Sequence, residues 1–174
     1  MRENRRNKPE ITWVCDSFND TVPTGGRITD FTDSLVTTGN EMKAVNLDVN
    51  VSYTHNASAS VANDTIRMMV IRSRGGQLAA GDFPSTVQEC PDVQKYAVLY
   101  DKTVNIWANC HDGTNFQGYA SKQLRFRRKW KQGIKVVYDG TTAIKNPMYL
   151  FYISQNSSSS RANGYINIGY VDPQ

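Results

Sequence analysis

Two histidines are all the imidazole this 174-residue chain has, and that limits the chemistry it can do. His55 stands in Thr-His-Asn-Ala and His111 in Cys-His-Asp-Gly, each at the end of a strand-like segment. Cys110 and His111 are adjacent, so in an extended chain their side chains project to opposite sides and make a poor nucleophile–base pair. No GxSxG elbow, phosphate-cradling glycine loop, HExxH helix or paired Cys/His set is present. Both histidines read as loop residues, and no catalytic residue is expected. Cys15, Cys90 and Cys110 are widely spaced and form no CxxC pair. They predict no zinc site and read as ordinary buried thiols of a reduced, intracellular compartment. Asp16, Asp20, Asp30, Asp33, Asp101 and Asp112 are hard oxygen ligands of the kind calcium takes, but nothing in their spacing fixes a site. Asp112-Gly113 and Asp139-Gly140 are better read as turns. Neither a metal nor a cofactor is expected.

Positive charge is more informative. Lys+Arg 20 against Asp+Glu 16 leaves a net charge of +4, a mildly basic balance that permits a polyanionic partner without demanding one. The cations gather in two places. Residues 1–10 carry Arg2, Arg5, Arg6 and Lys8 against Glu3 and Glu10, with almost no apolar content, and read as a flexible basic arm. Residues 122–131, Lys-Gln-Leu-Arg-Phe-Arg-Arg-Lys-Trp-Lys, hold six cations and no acid. On a strand, Leu124, Phe126 and Trp130 point one way, and Arg125, Arg127, Lys129 and Lys131 the other. Arg128 falls on the apolar side. Such a ridge could bind phosphate, with Phe126 and Trp130 stacking bases if exposed. It could equally protect a sheet edge against aggregation, or meet acids of a neighbouring subunit.

The elements that must carry these residues are strands. In residues 45–54, Val45, Leu47, Val49, Val51 and Tyr53 alternate with Asn46, Asp48, Asn50, Ser52 and Thr54, which gives one buried and one wet face. Eight strands are predicted: Ile11–Phe18, Arg27–Leu35, Met42–Thr54, Thr65–Arg72, Tyr96–Trp107, Lys122–Tyr138, Met148–Ile153 and Tyr165–Val171. Gly133 marks a bulge or bend inside the sixth, Met148–Ile153 reads as a central strand, and Gln155–Gly164 as a polar loop. Leu78, Phe83, Val87, Phe116 and Tyr119 fall outside strands, either folded back on the domain or available to a neighbour. No apolar run approaches the ~18–20 residues a membrane-spanning helix needs, and no signal peptide or membrane contact is expected. The expected fold is all-β, antiparallel, with short helices at most in loops.

Four tracts carry a family resemblance. Tyr96-Ala97-Val98-Leu99-Tyr100-Asp101-Lys102-Thr103-Val104 resembles a strand in capsid proteins of small circular single-stranded DNA viruses. Related patterns occur in coat proteins of geminiviruses and of viruses like satellite tobacco necrosis virus. Phe126–Tyr138 is similar to the basic strand that follows it there, and Asn146–Ile153 with Ile166–Val171 to the last two strands. The likeness spans residues 42–171 and is most specific over 96–153.

The resemblance implies a single jelly roll over residues 11–174, with eight strands in two four-stranded sheets. It also implies self-assembly into a small icosahedral shell, of T=1 type with sixty subunits. The partners are other copies of the chain and a viral genome, with single-stranded DNA favoured over RNA. The location is the virion, after synthesis in the host cell with passage through the nucleus. Arms of this family are long and Arg-rich, whereas this one is short and interrupted by acids. The expected nucleic-acid contacts are Arg2, Arg5, Arg6, Lys8, Arg125, Arg127, Arg128, Lys129 and Lys131. The competing reading is a lectin-like sandwich presenting Trp13, Trp107 or Trp130 to sugars.

Overall fold

A computed structural model describes residues 10–33, 40–56, 63–107, 110–111, 116–117, 119–156 and 160–171. The strands in chain order are β1 (Thr12–Thr21), β2 (Arg27–Asp30), β3 (Glu41–Asn56), β4 (Asn63–Ser73), β5 (Tyr96–Trp107), β6 (Cys110–His111), β7 (Phe116–Gln117), β8 (Tyr119–Asp139), β9 (Thr142–Lys145), β10 (Met148–Ser154) and β11 (Ser160–Val171). Among the described residues the one helical element is a single 3₁₀ turn, Ala80–Asp82, in the β4–β5 loop.

The alternation of β3 sets its place. Leu47, Val49, Val51 and Tyr53 are buried in the core, and the intervening polar residues face outward. Val45 breaks the expected pattern. A bulge between Ala44 and Asn46 shifts the register against β8, so that Met42 and Ala44 point inward instead. On β8 the same irregularity takes up residues 130–133, since Lys129 pairs with Asn46 and Ile134 with Ala44. Gly133 sits there at φ +70°, a conformation that favours glycine.

Eight of the strands pair first with last. β1 pairs with β11, β2 with β10, β3 with β8 and β4 with β5, all antiparallel. One long hairpin wound up on itself gives this pattern, and its two layers are β1-β11-β3-β8 and β2-β10-β4-β5. That is the jelly-roll arrangement. The layers enclose one core, in which Leu47, Val49 and Val51 meet Ile66, Met68, Val70, Leu150 and Tyr152.

The structure corrects the expectation of two equal sheets. β9, a four-residue strand missed in the sequence, folds back across the Gly140 turn onto Val137–Asp139 and makes the first sheet five-stranded. Residues 160–164, expected as loop, extend β11 by a half; paired on both sides by β1 and β3, they sit in the sheet interior despite their polar composition. β6 and β7 add a two-stranded hairpin.

The two outer faces differ. The β4–β5 loop folds over the outside of the four-stranded sheet, where Phe83 and Val87 join Met69, Ile71, Tyr149, Phe151 and Ile153 in a second apolar cluster. Phe83 packs edge-on to Tyr149 and stacks on Phe151. β10 is therefore covered on both sides, which explains its unbroken apolar run. Arg67, 6% exposed, clamps that loop: Nε and Nη2 donate to Asp101 at 2.8 and 2.6 Å, and Nη1 donates to the carbonyls of Val87 and Glu89. The outer face of the five-stranded sheet carries polar alternation instead.

Candidate nucleic-acid interface

Strand register places the ridge residues in rows across this bare face. Running from β1 through β11 and β3 to β8, one row reads Trp13, Gly169, Asn46, Lys129. The next reads Cys15, Asn167, Asp48, Arg127, and the next Ser17, Tyr165, Asn50, Arg125. Each row ends in a cation on β8. β8 is also the outermost long strand, since β9 covers only its last residues, so edge protection and phosphate binding both suit it.

Asp48 organises the ridge. Arg125 donates to both of its oxygens, at 3.1 and 2.8 Å, and Arg127 Nε donates to Oδ2 at 2.9 Å. The hydrogen bond from Arg125, reinforced by Arg127, holds the Asp48 carboxyl below the ordinary carboxylate range. An acid of the same chain therefore faces Arg125 and Arg127 on the ridge. With the arginines exposed, these pairs add little stability but fix their forks in place. Arg128, Lys129 and Lys131 are exposed and pair with no acid among the described residues. Arg128 shares the core-facing parity, as expected, yet is exposed and lines the groove described below.

Neither Phe126 nor Trp130 stands open as a base platform. Phe126 is buried against Tyr100, and Trp130 packs partly buried on the core. The aromatic that does face outward is Trp13, 53% exposed at the far side of the same rows. A groove of about 550 Å³ runs between, lined by Trp13, Asn46, Asp48, Arg127, Lys129 and Asn167 among others. Sequence reasoning placed Trp13 with the sugar-binding alternative only. The signal was present, because Val14 and Phe18 face the core and odd positions of β1 therefore face out.

Other expectations are settled differently. His55 is not a loop residue: it continues the inward parity of β3 and is fully buried, its Nδ1 3.0 Å from Ser160 Oγ. Ser160 and Ser154 both donate to Asp64, also buried, which accepts the Asn156 amide too. Cys15 and Cys90 are exposed, not buried. The aspartates disperse: Asp20 meets Arg27 and Tyr152, Asp30 accepts from Thr32, Asp33 from the Ala143 amide, and Asp101 from Arg67. Among the described residues no three His, Cys, Asp or Glu side chains gather as a metal site, and no helix is long and apolar enough to cross a membrane. Trp107 lies at the end of β5 in the other sheet, so the three tryptophans share no platform. Arg2, Arg5, Arg6 and Lys8, Asp112, and the side chains of Cys110 and His111 lie outside the described residues.

No protein-family model matches the chain, and no curated protein does. Solved structures with a similar course are distant. The dimeric latent PorU of Porphyromonas gingivalis is 9% identical over 93% of this chain, at a TM-score of 0.41; the chain spans 13% of that protein's length. The Tobacco streak virus coat protein dimer is 12% identical, covering 94% of this chain and 87% of its own, at 0.39. The empty head of Turnip yellow mosaic virus is 11% identical, covering 100% and 88%, at 0.40. The jelly-roll assignment rests on this chain's own strand pairing.

Proposed function

We propose that this chain is a viral capsid subunit: a jelly roll that tiles with its own copies into a small icosahedral shell and holds a nucleic-acid genome inside. A T=1 shell of sixty subunits, a virion location and a single-stranded DNA genome belong to the same reading. The observation that carries it is the pairing of first strand with last around one core, with one broad side covered by its own loop and the other polar and edged with cations. A scaffold of this kind offers surface for tiling and cations for the phosphates of a genome. The contacts to the genome are charge-driven and sequence-independent, from Arg125, Arg127, Arg128, Lys129 and Lys131 together with the arm cations Arg2, Arg5, Arg6 and Lys8.

The lectin-like reading loses ground because Trp13, Trp107 and Trp130 are dispersed over two sheets and the core boundary. Light scattering on the purified chain separates the two. A megadalton particle is expected; a 19.6 kDa monomer at assembly concentrations overturns the shell. Reversing Arg125, Arg127, Lys129 and Lys131 to Glu is expected to leave the fold intact and reduce co-purifying nucleic acid, measured by the absorbance ratio of particles. Undiminished nucleic acid removes β8 from the mechanism.

A further inference from the structure

The packaging reading says only that phosphates meet cations; the bare face carries something more specific. Trp13 lies against Gly169, where a side chain would crowd the ring: a Cβ there would sit 3.2 Å from two atoms of the indole and 3.1 Å from Ile11 Cγ2. The missing side chain lets the ring lie close to the sheet while more than half of the residue's surface stays open. In the same row, Asn46 and then Lys129 continue across the groove, and Arg127 follows one row on. Three strand spacings separate Trp13 from Lys129, roughly 14 Å at about 4.8 Å each, and both side chains extend into the gap. Across it lie neutral amides, Asn46 and Asn167, able to donate and accept toward base edges.

Resting on the packaging reading, we propose that this groove is a binding site for single-stranded nucleic acid, in which the Trp13 indole stacks a base while Lys129 and Arg127 hold flanking phosphates. An exposed aromatic gains from any base face, so the site is tolerant of sequence but requires an unpaired strand; bases inside a duplex are stacked on each other and closed to the indole. Charge favours this occupant over a neutral sugar. Asp48 is the one acid in the groove, and both its oxygens are already occupied by Arg125 and Arg127, which leaves Lys129 and Arg128 uncompensated. It also disfavours the chain's own arm, whose cations would be repelled.

The test uses the full chain in its unassembled form with two fluorescent probes of equal charge: a short oligothymidylate and an abasic deoxyribose-phosphate chain of the same length. Fluorescence anisotropy is expected to show tighter binding of the oligothymidylate. Trp13→Ala should weaken oligothymidylate binding about tenfold, as loss of one stacked base does, and leave the abasic probe unchanged. Trp13→Phe should retain most of the difference. Gly169→Val, which evicts the indole without removing it, should copy Trp13→Ala; circular dichroism confirms the fold of each. Lys129→Ala should weaken both probes alike. If Trp13→Ala binds both probes as the parent does, the stacking site is overturned while phosphate-driven packaging stands. If the parent binds neither probe, the packaging reading itself fails. If maltohexaose quenches Trp13 and oligothymidylate does not, the groove is a sugar site and the proposal is wrong.

Discussion

Asp64 shows how much one side chain can hold in this fold. It is 1% exposed and accepts hydrogen bonds from Ser154, Ser160 and the Asn156 amide, so it joins the start of β4 to the end of β10 and the start of β11. A buried carboxylate is tolerable because its lone pairs are used, and removing it strands the donors that used them. Asp64→Ala should cost about 3 kcal/mol, read as a lower denaturation midpoint at an unchanged slope in urea. Asp48 makes a different case, a half-buried acid whose worth depends on pH. Its folded pKa lies below the ordinary 3.8, so the stability it contributes is present above about pH 4 and is lost as pH falls through the lower folded value. Asp48→Asn should therefore be slightly less stable than the parent at pH 6, with the difference shrinking as pH is taken well below 4, as thermal melts across that range would show. His55 belongs to this scale too. The alternation that identified β3 runs one step further to position 55, but the polarity of histidine argued for a loop; the partner that makes its burial tolerable is Ser160, itself bound to Asp64 and distant from His55 in sequence.

Among the elements, those with period-two patterning were readable and those defined by their partners were not. β3, β5 and β10 lie close to where alternation or a continuous apolar run put them, and the bend at Gly133 was visible as an interruption. The displacement of Val45 was not, because a bulge is a property of two paired strands. β9 is four residues long, and the first half of β11 is Ser-Arg-Ala-Asn-Gly; each is a strand by virtue of what lies beside it. The β4–β5 loop is similar. Its apolar residues were equally consistent with folding back or with waiting for a neighbour, and the choice is made by Arg67, a residue of β4 that binds the loop's carbonyls. Arg67→Ala leaves Asp101 without its partner and frees the loop, at a cost of about 3 kcal/mol. Limited proteolysis should then cut within residues 74–95 in the variant at enzyme levels that leave the parent whole.

For the whole molecule, the partition between one core and two unequal faces governs what substitutions do. Val49 is fully buried between the sheets, so Val49→Asp should abolish folding, whereas Asp48→Val on the opposite parity should not; near-ultraviolet dichroism distinguishes them. The cationic ridge of the candidate site was legible from one strand, because six cations without an acid need no partner to be noticed. The groove was not, because Trp13 and Lys129 are brought into one row by three successive pairings, through two intervening strands, spread over the length of the chain. The same unequal faces carry a built-in reporter. Cys15 is exposed among the rows of the bare side, and Cys90 is exposed on the loop that covers the other. In a closed particle whose wall excludes a bulky maleimide, only the thiol on the convex surface can be alkylated. Peptide mapping of the modified cysteine would therefore tell which way each subunit is turned without an image of the particle: Cys90 labelled and Cys15 spared if the tryptophan side lines the lumen.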